Sequence, residues 1–251
     1  MPRDKLEHPG HPRHFLTALA FLTRLGPSRV VPVEDFAPAL AWFPLAGFAA
    51  GGLAVLPAWL GLFSGYPLLQ GWLVTGLGLW ITRGLHADGL ADISDAWGSS
   101  ARGERFWAIL KDSRAGPFGV LGLVTAVTGQ ILAYGYLAGQ QRLGAVCWCF
   151  VLGRMVSLAV IGLCRGRVRP GLASLFAPGA EPATLALALI QTVLLGLALT
   201  SLRSMLLAFA ASGVILAFLT GLSKRQQGMN GDFMGAAIVL GELAAALAAL
   251  A

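Results

Sequence analysis

Seven uninterrupted apolar runs, at 38–60, 67–83, 117–138, 143–164, 183–200, 204–222 and 233–251, govern what this chain can fold into. Each approaches the roughly 20 residues that a helix needs, at about 1.5 Å per residue, to cross a bilayer core. The runs lack the alternation of a lipid-facing strand, and an open sheet would leave backbone groups unpaired in hydrocarbon. Composition agrees. The chain is 56% hydrophobic and 12% charged, with a mean hydropathy of +0.72, whereas soluble domains carry about 25% charged residues. The sequence predicts an all-α, polytopic integral membrane protein of about seven transmembrane helices, forming one membrane-embedded domain over 1–251.

The N-terminal segment, 1–37, is not read as a cleavable signal. Phe15 to Leu22 is too short, runs at once into Arg24 and lacks a small-residue cleavage site. An amphipathic helix lying at the membrane interface is the expected form.

The basic residues give the orientation. With the N-terminus in the cytoplasm and seven alternating spans, fifteen Lys and Arg fall inside, whereas Arg142 and Arg203 fall outside and Arg154 lies within a span. The positive-inside rule therefore sets the N-terminus on the cytoplasmic side. The net charge of +6 is spread in short runs between apolar stretches, which suits topology and anionic lipid or phosphate partners rather than nucleic acid. Cys147, Cys149 and Cys164 all lie in apolar stretches and read as small side chains, not as a metal or redox set. The oligomeric state is left open, and a homo-oligomer is compatible with the sequence.

One connection differs from the rest. Segment 84–116 is long, polar and acidic as well as basic, and long connections in compact folds tend to be functional. Asp88, Asp92 and Asp95 stand at i, i+4 and i+7, so on a helix their carboxylates share one face. Three like charges on one stripe repel unless cations sit between them, and a hard divalent ion such as Mg²⁺ prefers such oxygen ligands. Downstream, Lys111, Asp112, Ser113 and Arg114 precede Gly116-Pro117-Phe118-Gly119 at the mouth of the next span, with Arg102 between the two motifs at i+7 from Asp95. Carboxylates for metal and cations for phosphate oxygens together suggest phosphoryl transfer. Asn230 and Asp232 add an amide and a carboxylate at the mouth of the last span, where a turn and helix cap is the plainer reading. Arg154 and Glu242 lie inside apolar runs, where ionisable residues face a cavity or a partner. His86 points away from the aspartate stripe on an ideal helix, as a capping or interface residue or as a base.

The strings His86-Ala-Asp-Gly-Leu-Ala-Asp-Ile-Ser-Asp95 and Lys111-Asp-Ser-Arg-Ala-Gly-Pro-Phe-Gly119 resemble the cobalamin synthase family, the adenosylcobinamide-GDP ribazoletransferases. Supporting matches run from Phe21-Leu22-Thr23-Arg24-Leu25 and Phe43-Pro44-Leu45-Ala46-Gly47 to Gly231-Asp232, so the resemblance spans essentially the whole chain. It implies a membrane enzyme joining adenosylcobinamide-GDP to α-ribazole or its 5′-phosphate, with Mg²⁺ and release of GMP. Carried over by position, Asp88, Asp92 and Asp95 are the metal and diphosphate site, completed by Asp112 and Arg114. On that reading Asp88, Asp92 and Asp112 hold metal, Lys111 and Arg114 clamp the diphosphate, and Asp95 accepts the proton of the attacking hydroxyl. His86, Arg102, Ser113, Arg154, Asn230 and Asp232 join them as substrate-binding residues. The chain departs from the family in placing Asn230 where threonine is common in the C-terminal motif. A CDP-alcohol phosphotransferase is the rival within membrane enzymes, but Asp92 stands after Ala91 where that signature has arginine. A transporter would place its polar residues at mid-bilayer on broken helices.

Overall fold

A computed structural model describes residues 12–26 and 30–251. The cations at Arg3, Lys5 and Arg29, which enter the topology argument, lie outside them. Among the described residues the chain is helical, with no strand and one isolated parallel bridge between Val168 and Met229.

The first helix, α1 (Pro12–Leu22), covers the expected interfacial segment. The first apolar run is a continuous helical stretch over Val33–Trp59, in which α2 (Phe36–Ala39) passes through a 3₁₀ turn into α3 (Phe43–Trp59). There follow α4 (Pro67–Ile81), α5 (Leu85–Gly98), the short α6 (Glu104–Leu110), α7 (Pro117–Gly139) and α8 (Leu143–Leu163). The last third comprises a five-residue helix, α9 (Leu172–Phe176), then α10 (Pro182–Leu199), α11 (Leu202–Arg225) and α12 (Gly231–Leu250). Proline opens the first turn of α4, α7 and α10, where a missing N–H costs nothing.

Among the described residues six helices are long and apolar enough to cross a membrane: Val33–Trp59, α7, α8, α10, α11 and α12. The seventh expected span, α4, has only 15 residues, about 22 Å of rise. It stops because Arg83 and Gly84 both adopt positive φ, at 59° and 69°. That turn does more than end a helix. The Arg83 guanidinium donates to the carbonyls of Ala20 and Phe21 at the C-terminal end of α1, and the Arg24 N–H donates to the carbonyl of Ile81. Cations suit helix C-termini, whose carbonyls are unpaired. The 20–24 and 80–83 segments are thereby tied to each other.

The helix α8 is the centre of the bundle and is buried along nearly its whole length, with α3 and α12 packed against it. The helices α10 and α11 lie at the periphery and expose Ile190, Leu194, Leu206 and Val214, as lipid-facing helices do. Small residues let the inner helices approach closely. A Cβ on Gly153 would meet the Ile238 carbonyl oxygen at 2.7 Å, and one on Gly241 would meet the Gly153 backbone at 3.1 Å. Beside this α8–α12 crossing, Arg154 is fully buried and ion-paired with Glu242, and Gln130 Nε2 donates to the other Glu242 oxygen at 3.1 Å. All three cysteines are buried free thiols.

Candidate active site

The basic end of the bundle is held by three interlocked connections. Gln226, just past α11, accepts from the Gly103 N–H at 3.0 Å and donates to the Ala101 carbonyl at 3.2 Å. Trp107 Nε1 donates to the Gln226 carbonyl at 3.2 Å, and the Arg169 guanidinium stacks over the Trp107 ring at 4.2 Å. The Arg169 N–H donates to the Met229 carbonyl, and the Met229 N–H donates to the Arg167 carbonyl. A Cβ on Gly228 would meet Trp107 at 2.7 Å. The 226–230 segment therefore enters α12 along one path, which fixes where Asp232 stands.

Two glycines bring that aspartate to α5. A Cβ on Gly89 would meet the Asp232 backbone at 3.0 Å, and one on Gly235 would meet the His86 backbone at 3.2 Å. At this approach Asp232, in the first turn of α12, comes within electrostatic reach of Asp88 and Asp92 on α5. Asp88 is exposed and Asp92 half-buried. Burial, then the charges of Asp232, Asp88 and Asp95, push the Asp92 carboxyl up from 3.8 to about 7. Asn230 does not cap α12. Its Nδ2 donates to Asp232 Oδ2 at 2.6 Å and fixes that carboxylate's orientation.

Asp95 has a different place from the one its spacing suggests. It is buried, and its two oxygens accept the Gly116 and Gly119 N–H groups at 2.7 and 2.8 Å. The carboxylate thus caps the N-terminus of α7, where unpaired amides and the helix dipole favour an anion. A side chain on either glycine would collide with it. The two sequence motifs are halves of one junction, and both Asp95 oxygens are engaged in it.

Asp112 is engaged as well. It lies on the connection between α6 and α7 and forms a two-pronged ion pair with Arg114, at 2.7–3.2 Å. The hydrogen bonds from Arg114 hold its carboxyl down at about 2. Among the described residues no three His, Cys, Asp or Glu side chains form a ready metal cage, neither Asp88 and Asp92 with Asp112 nor the same pair with Asp232. It is Asp232 that faces Asp92 instead. The α5 helix ends at Gly98 and the chain turns at Ser100 and Gly103, both with positive φ, which takes Arg102 off the aspartate stripe. Arg102, Lys111, Ser113 and Arg114 are all exposed at this end. Arg154, expected among the substrate-binding residues, is sealed inside the bundle by its pairing with Glu242.

His86 is buried, and its pKa is lowered well below 6.5 by burial and then by the charges of Arg154 and Arg83. It is neutral at pH 7. It lines a cavity of about 300 Å³ with Asp88, Asn230 and Asp232 at its mouth. Phe21 and Leu22 of α1, Ser157 of α8, the 170–171 turn and the start of α9 also line it, and sequence reasoning assigned none of these to the site. Only the Phe21-Leu22 match to the family motif hinted at one of them.

A helical bundle of membrane-crossing length, with carboxylates facing one another at the mouth of an end cavity and exposed cations beside them, defines a membrane enzyme of phosphoryl-group chemistry. The sequence model of the cobalamin-5-phosphate synthase family matches residues 14–250, and the chain belongs to that family. An adenosylcobinamide-GDP ribazoletransferase of Nitratidesulfovibrio vulgaris strain DP4 is 44% identical over 236 residues, covering 94% of this chain and 96% of the relative. Relatives of the same name from Nitratidesulfovibrio vulgaris strain Miyazaki F and Chlorobaculum tepidum are 42% and 35% identical, each covering more than 90% of both chains. No solved structure matches the chain. The chain is a transferase of cobalamin biosynthesis.

Proposed function

We propose that this chain transfers the phosphocobinamide group of adenosylcobinamide-GDP to α-ribazole or α-ribazole 5′-phosphate, releasing GMP. The product is adenosylcobalamin or its 5′-phosphate. The observation that carries this reading is the meeting of Asp232 with Asp88 and Asp92, with Asp88 and Asp232 lining the end cavity, in a chain matched over nearly its full length by ribazoletransferases. The site faces the cytoplasm of a prokaryotic inner membrane, because the arginines of 165–169 and the 102–114 cations gather at the same end.

The donor set suits Mg²⁺. Burial and the charges of Asp232 and Asp88 tighten the hold of Asp92 on its proton, a divalent cation relieves such crowding, and Mg²⁺ completes its shell with water and substrate phosphate rather than with an all-protein cage. Asp88, Asp92 and Asp232 would hold the ion, which when bound would neutralise diphosphate charge. Asn230 orients Asp232. Lys111, Arg114 and Arg102 offer cations to the guanylyl phosphates, and Arg114 is presented by its pairing with Asp112. The ribazole hydroxyl attacks the phosphorus bearing the aminopropanol arm, a new P–O bond forms, the bond to GMP breaks, and the hydroxyl proton passes to solvent water.

The test is direct. Purified protein in lipid, given adenosylcobinamide-GDP, α-ribazole and Mg²⁺, releases GMP in step with cobalamin formation, and chelation stops it. Turnover that persists in excess chelator would exclude the metal assignment. GMP release without cobalamin would exclude the transfer.

A further inference from the structure

The end cavity contains two buried polar groups that the reaction as described does not use. Ser157 Oγ, on fully buried α8, and His86 Nε2, on α5, have no hydrogen-bond partner. Buried polar atoms in native proteins are nearly all paired, so these two await something that enters the cavity. The walls beside them are apolar, built from Phe21 and Leu22 of α1, Leu172 after the 170–171 turn, and Met234 and Ile238 of α12. Asp88 and Asp232 stand at the mouth. Ser157 lies six residues before Leu163, the end of α8, which places it about 9 Å below that end.

Three moieties of the proposed reaction could approach this site. The corrin macrocycle is too broad for about 300 Å³. Guanine would fit by size, but its polar edge carries several donors and acceptors, and apolar walls with two polar atoms would leave most of them unpaired. A benzimidazole is flat, apolar and bicyclic, with one free ring nitrogen as its sole in-plane acceptor. Inserted base-first, such a nucleoside would leave its ribose at the level of the mouth carboxylates.

We propose that this cavity is the base pocket for the nucleoside acceptor, with the Ser157 hydroxyl donating to the free ring nitrogen and His86 closing the wall beside it. The proposal rests on the ribazole-transfer reading above and adds the residues that select the acceptor. The site's demand for one in-plane acceptor makes it a specificity device, since a pocket built to hydrogen-bond a ligand rejects the analogue lacking that atom.

The test compares wild type with Ser157→Ala and Ser157→Thr. Expected is a KM for α-ribazole raised about tenfold in Ser157→Ala, with the KM for adenosylcobinamide-GDP and kcat within twofold of wild type. Ser157→Thr keeps the hydroxyl and restores the KM to within about threefold. An indole riboside, which has carbon at the ring-nitrogen position, binds wild type and Ser157→Ala equally. An unchanged ribazole KM in Ser157→Ala overturns the proposal. So does a rise confined to adenosylcobinamide-GDP, which would place guanine in the cavity. Calorimetric binding of α-ribazole to the intact protein in detergent is read in parallel, because it needs no turnover. If wild type binds α-ribazole tightly and Ser157→Ala does not, the pocket stands even where GMP release fails. Equal binding by both sinks the pocket while leaving the transfer reading untouched.

Discussion

Two of the polar clusters in the bundle are built on opposite terms. Midway along the helices, Glu242 takes an ion pair from Arg154 and a hydrogen bond from Gln130, so each Glu242 oxygen has a partner. At the basic end, Asp88, Asp92 and Asp232 face one another with no side-chain cation among the groups that shift Asp92. The first cluster balances its charge within the fold. The second leaves charge to be balanced by what binds. Position on the chain does not tell them apart, since Glu242 and Asp232 sit on the same helix.

The largest effect should come from breaking the balanced cluster. Glu242→Ala leaves the Arg154 guanidinium buried without a counter-charge, and loss of one partner of such a pair costs about 3–5 kcal/mol. Thermal unfolding in detergent should show it as a steep loss of stability and of folded yield. Asp95→Ala comes next. It removes two charge-assisted hydrogen bonds from the N-terminus of α7, each contributing about 1.5–3 kcal/mol where buried. Protein melting should fall, and hydrogen exchange at Gly116 and Gly119 should quicken. If Asp95→Ala left stability intact and abolished turnover alone, Asp95 would belong with the catalytic carboxylates after all.

The smallest effect separates the clusters by pH. Asp92 binds its proton up to about 7 instead of 3.8, and a metal must displace that proton. The Mg²⁺ concentration for half-maximal GMP release should therefore rise severalfold as pH falls from 8 to 6. In Asp92→Asn the remaining Mg²⁺ dependence should lose that slope. The sign for stability follows from the same shift. With the folded carboxyl raised, the metal-free protein gains stability below 3.8 and loses that gain as pH rises through about 7.

Much of this was legible in the residues. The apolar runs predict six of the membrane-length helices to within a few residues, because length and hydropathy are local properties. The α4 helix follows its run, 67–83, to within two residues, and it is short because that run itself ends at Arg83. The aspartate stripe also is local, and α5 carries it as the i, i+4, i+7 spacing requires. What each aspartate does is not local. Asp95 finds its partners at Gly116 and Gly119, beyond two turns and another helix, and Asp232 reaches α5 only through the Gly89–Gly235 approach. The family resemblance groups Asp112 with the stripe, and in the fold its neighbour Arg114 pairs with it. Ser157 is an ordinary small residue in an apolar helix until the fold places its hydroxyl, unpaired, in a cavity wall.

The central claim is that the end carboxylates are left uncompensated for a bound cation and substrate, and Asp232→Asn tests it most directly. The substitution removes one facing charge and keeps the shape. Thermal unfolding and GMP release should be measured on the same preparation at saturating substrates. The account predicts a melting temperature at or above wild type, because repulsion is relieved, with GMP release reduced at least about a hundredfold. Turnover near wild type in a folded Asp232→Asn protein would contradict it.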